Sequence, residues 1–194
     1  KRQSLYRFDE LKSLTSDRVK LSRLRIAISD RGQAKEARLG VTHGRAIVTG
    51  MNLARDLGNR PPNLCTPSHL AEEARAVAKR YRNLETKVLS ERDMKRLGMG
   101  AILSVTHGAE EPARLIVMEY RGADASSAPV AICGKGITFD TGGISLKPPP
   151  KMDEMKFDMC GAATVIGTMA SLGELQTAIN VVAIVPACEN MPGS

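Results

Sequence analysis

The chain has 194 residues, of which 42% are hydrophobic and 25% charged, as expected for a globular protein with one domain of ordinary size. No stretch approaches 18 consecutive apolar residues, so we expect no membrane-spanning helix and no membrane partner. The net charge of +7 belongs to residues 1–45, where 12 Lys and Arg stand against 5 Asp and Glu. Such a basic segment is compatible with contact to nucleic acid, although it is more often a solvated surface or a linker.

The four cysteines stand far apart in the sequence, at Cys65, Cys133, Cys160 and Cys188. No two of them form a CxxC pair, so the spacing of a zinc ribbon or a dithiol redox motif is missing. Most lie in apolar surroundings, which favours buried free thiols in a reducing compartment. We therefore expect a cytoplasmic protein.

The first 43 residues show weak hydrophobic periodicity and many charges. One short alternating run, at residues 24–28, predicts a strand within what otherwise reads as a tail and linker. A helix is predicted to begin near Gly44 and to end at Gly58. Its apolar side chains recur at helical spacing, at Ile47, Met51, Ala54 and Leu57.

Thr66 followed by Pro67 predicts the start of a second helix, with a capping hydroxyl and a proline in the first turn. Later elements follow in alternation: a strand at 86–89, a short helix at 90–98, apolar runs at 101–105 and 115–120, a strand at 129–132, a helix at 161–172 and a β-branched strand at 179–185. This alternation predicts an α/β fold with a mostly parallel sheet that is covered by helices on both faces.

The segment CGKGITFDTGGISLK, residues 133–147, directly follows the apolar strand at 129–132. It places Lys135, Asp140 and Lys147 on a glycine-rich loop beyond the carboxyl end of a buried strand. Open α/β sheets bind their ligands at that position. We therefore expect the functional site here.

Two kinds of ligand fit this loop. Glycines and lysines can cradle a phosphate, but GKGITFDTGG departs from the pattern GxxxxGK[ST], and three prolines at 148–150 precede any helix. A metal site explains more, because Asp140 and the downstream Asp158 supply the oxygen ligands that hard and borderline cations prefer. Taken alone, Asp158 is equally explained as a favourable charge at a helix N-terminus.

Together, the motifs point to a family. GKGITFDTGGISLKP at 134–148, followed by MDEMKFDMCGAA at 152–163, resembles the signature of the leucyl aminopeptidase family of cytosolic metallopeptidases. The resemblance extends through NLARDLGNRPPN at 52–63 and CENMPG at 188–193, so nearly all of residues 44–194 fit. It implies aminopeptidase activity on peptide substrates, with a preference for apolar N-terminal residues.

The resemblance also implies a role for each motif residue. In the family a pair of divalent cations, Zn²⁺ or Mn²⁺, polarises the peptide carbonyl and activates water. Lys135 matches a metal ligand whose amine must be neutral, Asp158 a ligand of the same metal, and Asp140 a carboxylate shared by both metals. Lys147 matches the catalytic lysine, which stabilises the oxyanion as an ammonium. Met155 matches a residue of the substrate pocket, although a plain core role explains it nearly as well.

Residues 1–43 then correspond to the basic tail of an upstream domain with a linker, and residues 44–194 to the N-terminal part of the catalytic domain. In the family, further carboxylate ligands and an arginine that holds a bicarbonate base follow later in the sequence than Ser194. The chain thus resembles a middle portion of a longer enzyme, and we expect little or no turnover from it alone. Family members assemble as homo-hexamers.

Two further hypotheses remain open at this stage. The basic N-terminal segment is compatible with a DNA-binding accessory role, which some bacterial relatives combine with peptidase activity. A catalytically inactive scaffold is the other alternative. Isolated histidines are usually structural or exposed, so we assign no metal to His43, His69 or His107, and we interpret Glu189 as a structural residue at a strand end.

Overall fold

A computed structural model of the chain describes residues 6–13 and 23–193. The described residues form five α-helices: α1 (Ala34–Asn59), α2 (Pro67–Ala78), α3 (Glu91–Arg96), α4 (Gly100–Val105) and α5 (Cys160–Leu175). They also form five strands: β1 (Leu84–Leu89), β2 (Arg114–Arg121), β3 (Val130–Cys133), β4 (Gly136–Asp140) and β5 (Asn180–Asn190). A 3-10 helix, Met152–Phe157, precedes α5.

The strands join into one sheet in the order β1-β2-β5-β3, and β4 also pairs with β5. The α/β class is confirmed. The expectation of a mostly parallel sheet needs correction, because β1–β2 and β2–β5 are antiparallel while β3–β5 and β4–β5 are parallel. Residues 90–113, which include the short helices α3 and α4, join β1 to β2. A connection of that length allows either strand direction, so the alternation of elements could not fix the pairing.

Helices cover both faces of the sheet, as the alternation predicts. Ile116 and Met118 of β2 join the core beneath α1, α2 and α5. Leu115 of the same strand points the other way and packs with Met94 of α3 and Cys188 of β5. This period of two along β2 is what buries both faces. No helix in the described part of the chain has the length and apolarity needed to cross a membrane.

Local capping explains where several elements begin. Thr66 Oγ1 accepts a hydrogen bond from His69 N–H at 3.2 Å, and Pro67 occupies the first turn of α2, as predicted. Ser90 and Asp93 form a reciprocal capping box that starts α3. Both starts agree with the sequence analysis, because a cap depends on neighbours in the sequence alone.

Two expectations about the N-terminal half are wrong in detail. Helix α1 begins at Ala34, well before Gly44. It runs unbroken across residue 43, where the sequence analysis placed a domain boundary, and that boundary stays a prediction. Most residues between 34 and 45 are exposed, so no apolar stripe marks this part of the helix. The run at 24–28 is described but is not a strand, and its side chains Leu24, Ile26 and Ile28 are exposed.

All four cysteines are free, and burial divides them into two pairs. The expectation of buried thiols is confirmed for Cys65 and Cys188. It is wrong for Cys133 and Cys160, which are exposed because one ends β3 and the other begins α5. Apolar neighbours in the sequence do not bury a side chain at the end of an element.

Helices α1 and α5 touch through their backbones. A Cβ atom added to Gly50 would lie 2.1 Å from the Gly167 carbonyl oxygen, and one added to Gly167 would lie 2.5 Å from the Gly50 carbonyl oxygen. Ser171 Oγ supports the crossing with a hydrogen bond to the Ala46 carbonyl at 3.1 Å. Only glycine permits this approach, because any side chain at either position would separate the helices.

Replacing Gly50 by Ala should therefore lower the free energy of unfolding by about 1–3 kcal/mol, since the added methyl forces the helices apart. Urea denaturation measures this change. The matched control is Gly44→Ala on the same helix, because a Cβ there meets no described atom within 4 Å. That change should stabilise the protein by about 0.5–1 kcal/mol through helix propensity alone. Equal stability of Gly50→Ala and the unmodified chain would contradict the crossing.

Candidate metal centre

The predicted site residues lie along one side of β5, on β4 and on the link that precedes it. Asp140 is the last residue of β4 and pairs in register with Asn190, the last residue of β5. Lys135 lies in the short link between β3 and β4. β3 pairs with β5 as far as Ile184 and β4 continues along the same strand from Ala187, so β4 is the strand that ends beside the carboxyl end of β5, where parallel sheets bind their ligands. The sequence analysis treated residues 134–147 as one loop, but residues 136–140 form β4, since pairing with β5 orders them.

Lys135 and Asp158 form one ion pair of the site. Lys135 Nζ lies 2.9 Å from Asp158 Oδ1, with 58% of the lysine side chain and 21% of the aspartate side chain exposed. The second carboxylate oxygen, Asp158 Oδ2, is buried and has no hydrogen-bond partner among the described residues. A buried acceptor without a donor is costly, so this oxygen is the clearest opening for a ligand in the site.

Asp140 and Lys147 form the second ion pair. Asp140 Oδ1 also accepts hydrogen bonds from the Gly142 N–H at 2.9 Å and from Asn190 Nδ2 at 2.7 Å. Burial acts to raise the pKa of Asp140, but the hydrogen bonds from Lys147, Gly142 and Asn190 outweigh it and lower that pKa. The carboxylate is therefore held in its charged form.

Close backbone contact sets the distance between the β3–β4 link, which carries Lys135, and the start of α5, which follows Asp158. The Lys135 carbonyl accepts a hydrogen bond from the Ala162 N–H, in the first turn of α5, at 2.8 Å. A Cβ on Gly134 would lie 2.5 Å from the Gly161 carbonyl oxygen, and one on Gly161 would lie 2.9 Å from the Lys135 nitrogen. These glycines let the β3–β4 link rest against the start of α5, and Asp158 stands just before that start.

The candidate metal ligands share one electrostatic neighbour, the buried thiol of Cys188. Burial is the largest cause that raises the pKa of Cys188, which reaches about 11. The charges of Asp140, Glu189 and Asp158 raise it further, and the charge of Lys135 lowers it. The direct contacts among the predicted site residues are the two ion pairs, Lys135 with Asp158 and Lys147 with Asp140.

Lysine and carboxylate donors of this kind fit a divalent cation. Asp140 and Asp158 supply oxygen ligands, and Lys135 can add a nitrogen ligand when its amine is neutral. No group of three or more His, Cys, Asp and Glu side chains within residues 6–13 and 23–193 is arranged to hold a metal ion. The described residues thus offer a partial ligand set of two carboxylates and one amine.

The other predicted residues have simpler surroundings. Met155 is partly buried in the 3-10 helix, where its carbonyl accepts the Asp158 N–H at 3.2 Å. Its place in a substrate pocket stays a prediction. Glu189 lies near the end of β5, as expected, and burial followed by the charge of Glu111 raises its pKa. His69 contacts Arg60, with Nε2 at 2.6 Å from Arg60 Nη1, which agrees with a structural role.

Asn190 is the site residue that the sequence analysis missed. Its side chain donates to Asp140, and its carbonyl accepts hydrogen bonds from the Thr141 N–H at 2.9 Å and Oγ1 at 2.8 Å. A signal was available, because Asn190 follows a β-branched strand just as Asp140 follows its own strand. Two polar residues that end neighbouring parallel strands are expected to meet.

Comparison with known proteins agrees with this geometry. The sequence model described as the cytosol aminopeptidase family, catalytic domain, matches residues 52–194. The probable cytosol aminopeptidase of Nitrosococcus oceani is 49% identical over 191 residues, which cover 98% of this chain and 38% of that protein. The one from Alkalilimnicola ehrlichii is 52% identical, with 97% of this chain and 38% of the relative covered.

Solved structures give the same result. The bottromycin maturation enzyme BotP in complex with Mn is 33% identical with a TM-score of 0.79, covering 98% of this chain and 38% of that one. The cytosol aminopeptidase from Coxiella burnetii is 32% identical with a TM-score of 0.71, covering 81% of this chain and 33% of that one. The chain thus spans 38% of the length of the first curated relatives it matches. It belongs to the cytosol aminopeptidase family, and residues 52–194 match the catalytic domain of that family.

Proposed function

We propose that this chain carries part of the active site of a metal-dependent aminopeptidase, which releases apolar, leucine-like residues from the N-termini of peptides. One observation supports this above all: Lys135 Nζ and Asp158 Oδ1 form an ion pair at 2.9 Å beside β4, which ends at Asp140, and Asp158 keeps a buried oxygen without a described partner. Membership of the cytosol aminopeptidase family and the manganese bound to BotP agree with it.

Lys135, Asp140 and Asp158 would hold a pair of divalent cations, Mn²⁺ or Zn²⁺, together with ligands beyond this set. When bound, such cations polarise the peptide carbonyl and make water nucleophilic at neutral pH. Lys135 has to lose its proton to act as a ligand, which also releases Asp158 from the ion pair. Asp140 is already anionic, and Asn190 fixes the direction of its carboxylate.

Lys147 has a different task from Lys135. Its side chain is 33% exposed, and its ammonium contacts Asp140. Lys147 therefore lies beside one of the candidate metal ligands. From there it can donate a hydrogen bond to the oxygen of a peptide carbonyl as negative charge develops. Met155 offers an apolar, adaptable side chain for the first residue of the peptide.

The proposal also covers the setting of the enzyme. We place it in the cytoplasm as a homo-hexamer, with bicarbonate as the base of the complete site. The 194 residues by themselves should show little turnover, because two carboxylates and one amine do not complete a site for two metals.

A second role is favoured by the exposed first half of α1. Lys35, Arg38 and Arg45 are all exposed and lie on one face of this helix at spacings of i, i+3 and i+10. A stripe of cations at this spacing suits the phosphates of DNA. DNA contact is therefore our second candidate function, beside peptide hydrolysis.

Asp158→Asn should weaken Mn²⁺ binding by about tenfold or more, since an amide is a poorer ligand than a carboxylate. Electron paramagnetic resonance of free Mn²⁺ during a titration measures the affinity. The control is Asp153→Asn in the same 3-10 helix, where the side chain is exposed. Equal losses in both variants, or no binding by the unmodified chain, would favour the inactive scaffold instead.

Asp140→Asn should destabilise the metal-free chain at neutral pH but not in strong acid. A carboxylate whose pKa is lowered by folding stabilises the fold above its ordinary pKa, and this contribution is lost as the pH falls through the lowered value. The difference in unfolding free energy between the two proteins, measured with EDTA, should therefore shrink as the pH falls below about 4. A difference that does not change with pH would contradict the assignment.

Replacing Lys35, Arg38 and Arg45 together by Ala should weaken DNA binding and reduce its dependence on salt. The slope of log affinity against log salt should fall by about 3, because each phosphate contact contributes about 0.9. Gel shifts at several salt concentrations measure it. The control removes the same charge elsewhere, at the exposed residues Lys79, Arg80 and Arg82. Equal effects of both triple variants would point to net charge instead of a site.

A further inference from the structure

An N-terminal strap, residues 6–13, binds across the end of α1. Tyr6 Oη donates a hydrogen bond to Asp56 Oδ1 at 2.8 Å and accepts one from Asn59 Nδ2 at 3.1 Å. The Arg55 guanidinium lies 5.3 Å from the centre of the Tyr6 ring. Burial, and then the hydrogen bond to Asp56, raise the pKa of Tyr6 to about 12, so its hydroxyl stays a donor. One side chain of the strap thus contacts the last turns of α1 in three ways.

A second side chain of the strap reaches the turn that joins α1 to α2. Glu10 Oε2 accepts a hydrogen bond from Arg60 Nε at 3.0 Å. Arg60 Nη1 lies 2.6 Å from His69 Nε2 and 3.5 Å from Glu73 Oε1, both on α2. Because a guanidinium can only donate, His69 Nε2 accepts in this contact. Arg60 therefore connects the strap, the end of α1 and the start of α2.

The end of α1 and the turn after it pack against the start of α5. A Cβ on Gly58, in the last turn of α1, would lie 3.3 Å from Cys160 Sγ. Cys65, in the turn that follows α1, is 2% exposed and belongs to the core cluster that includes Met159. Burial is the main cause that raises its pKa to about 12, while the charge of Arg60 lowers it and that of Cys160 raises it. Cys65 thus lies near both Arg60 and Cys160, the first residue of α5, and Asp158 stands just ahead of that residue.

We propose that Tyr6 and Glu10 are positioning residues that hold Asp158 in place through the α1–α2 turn and the start of α5. Asp158 Oδ2 is buried without a partner in the described part of the chain, so its orientation is held against a cost. If the start of α5 could shift, this carboxylate would turn toward water or another donor. The strap supplies a constraint against that shift. The proposal rests on the proposed function in one respect, the binding of a cation by Asp158.

The experiment compares two Tyr→Phe variants that each remove a hydroxyl. Tyr6→Phe breaks the strap contact, while Tyr120→Phe breaks a hydrogen bond to the Thr177 carbonyl at 2.9 Å. Pulse labelling with iodoacetamide, read by peptide mass spectrometry, reports the opening of the buried Cys65, as the ratio of its labelling rate in a variant to that in the unmodified chain. This ratio should rise to about tenfold in Tyr6→Phe, the effect of one or two lost hydrogen bonds. Tyr120→Phe should leave this ratio unchanged.

Mn²⁺ titration by electron paramagnetic resonance then tests the consequence for the site. Tyr6→Phe should weaken Mn²⁺ binding by about three- to tenfold through misplacement of Asp158. Tyr120→Phe should not, even where its melting temperature falls equally, so a general loss of stability cannot account for the difference. Glu10→Gln, an exposed change that leaves the core intact, should reproduce both effects in a smaller degree and serves if Tyr6→Phe fails to fold.

Each outcome decides the matter. Faster labelling of Cys65 together with weaker Mn²⁺ binding supports the positioning role. An unchanged labelling ratio in both strap variants overturns it, and so does faster labelling with unaltered Mn²⁺ affinity. Failure of the unmodified chain to bind Mn²⁺ overturns the proposed function and the positioning role with it. The labelling ratio distinguishes the two failures, because it still rises in Tyr6→Phe if only Mn²⁺ binding fails and stays unchanged if the strap does not hold the α1–α2 turn.

Discussion

The backbone contact between the β3–β4 link and the first turn of α5 is the constraint on which the candidate metal centre depends. The hydrogen bond from the Ala162 N–H to the Lys135 carbonyl, at 2.8 Å, joins two segments that are distant in sequence. Glycine on both sides of this contact leaves no side chain between them. Lys135 and Asp158 are carried by these two segments, so their ion pair depends on how closely the backbones approach.

The electrostatic balance of the site follows from this arrangement. Two carboxylates are largely buried at the edge of the sheet, and each is paired with a lysine, so neither charge is left without compensation. A divalent cation competes with an ammonium for the same oxygen atoms. In the proposed metal site, these pairs would keep the charges balanced in the absence of metal, and a bound cation would free the two lysines for separate tasks.

Much of the fold and of the site could be predicted from sequence, and the failures share a physical cause. Thr66 and Pro67 marked the start of α2 correctly, and the β-branched run marked β5, because caps and period-two burial are local properties. The antiparallel pairing of β1 and β2 could not be read locally, since a connection as long as residues 90–113 allows either strand direction. The early start of α1 left no apolar signal.

The site shows the same division. The resemblance of residues 134–148 and 152–163 to a family signature identified Lys135, Asp140 and Asp158 as candidate ligands, because each of the two motifs is continuous in sequence. Asn190 was overlooked as a partner of Asp140, since its contribution depends on the register between β4 and β5. From sequence alone, Asp158 was equally well explained as a charge at a helix end. Its ion pair with Lys135 and its oxygen without a partner among the described residues favour a place in the candidate site.

The crossing of α1 and α5 at Gly50 and Gly167 has a mechanical consequence. Packed side chains can absorb a small displacement by changing rotamer, but two backbones in contact have no such compliance. The two helices should therefore move together as one rigid unit that pivots at the crossing. Helix α1 has 26 residues and a length of about 39 Å. A small tilt about the crossing therefore displaces the exposed N-terminal end of α1 by ångströms. A force on that end would be transmitted, with much smaller amplitude, to the edge of the sheet where Asp140 lies.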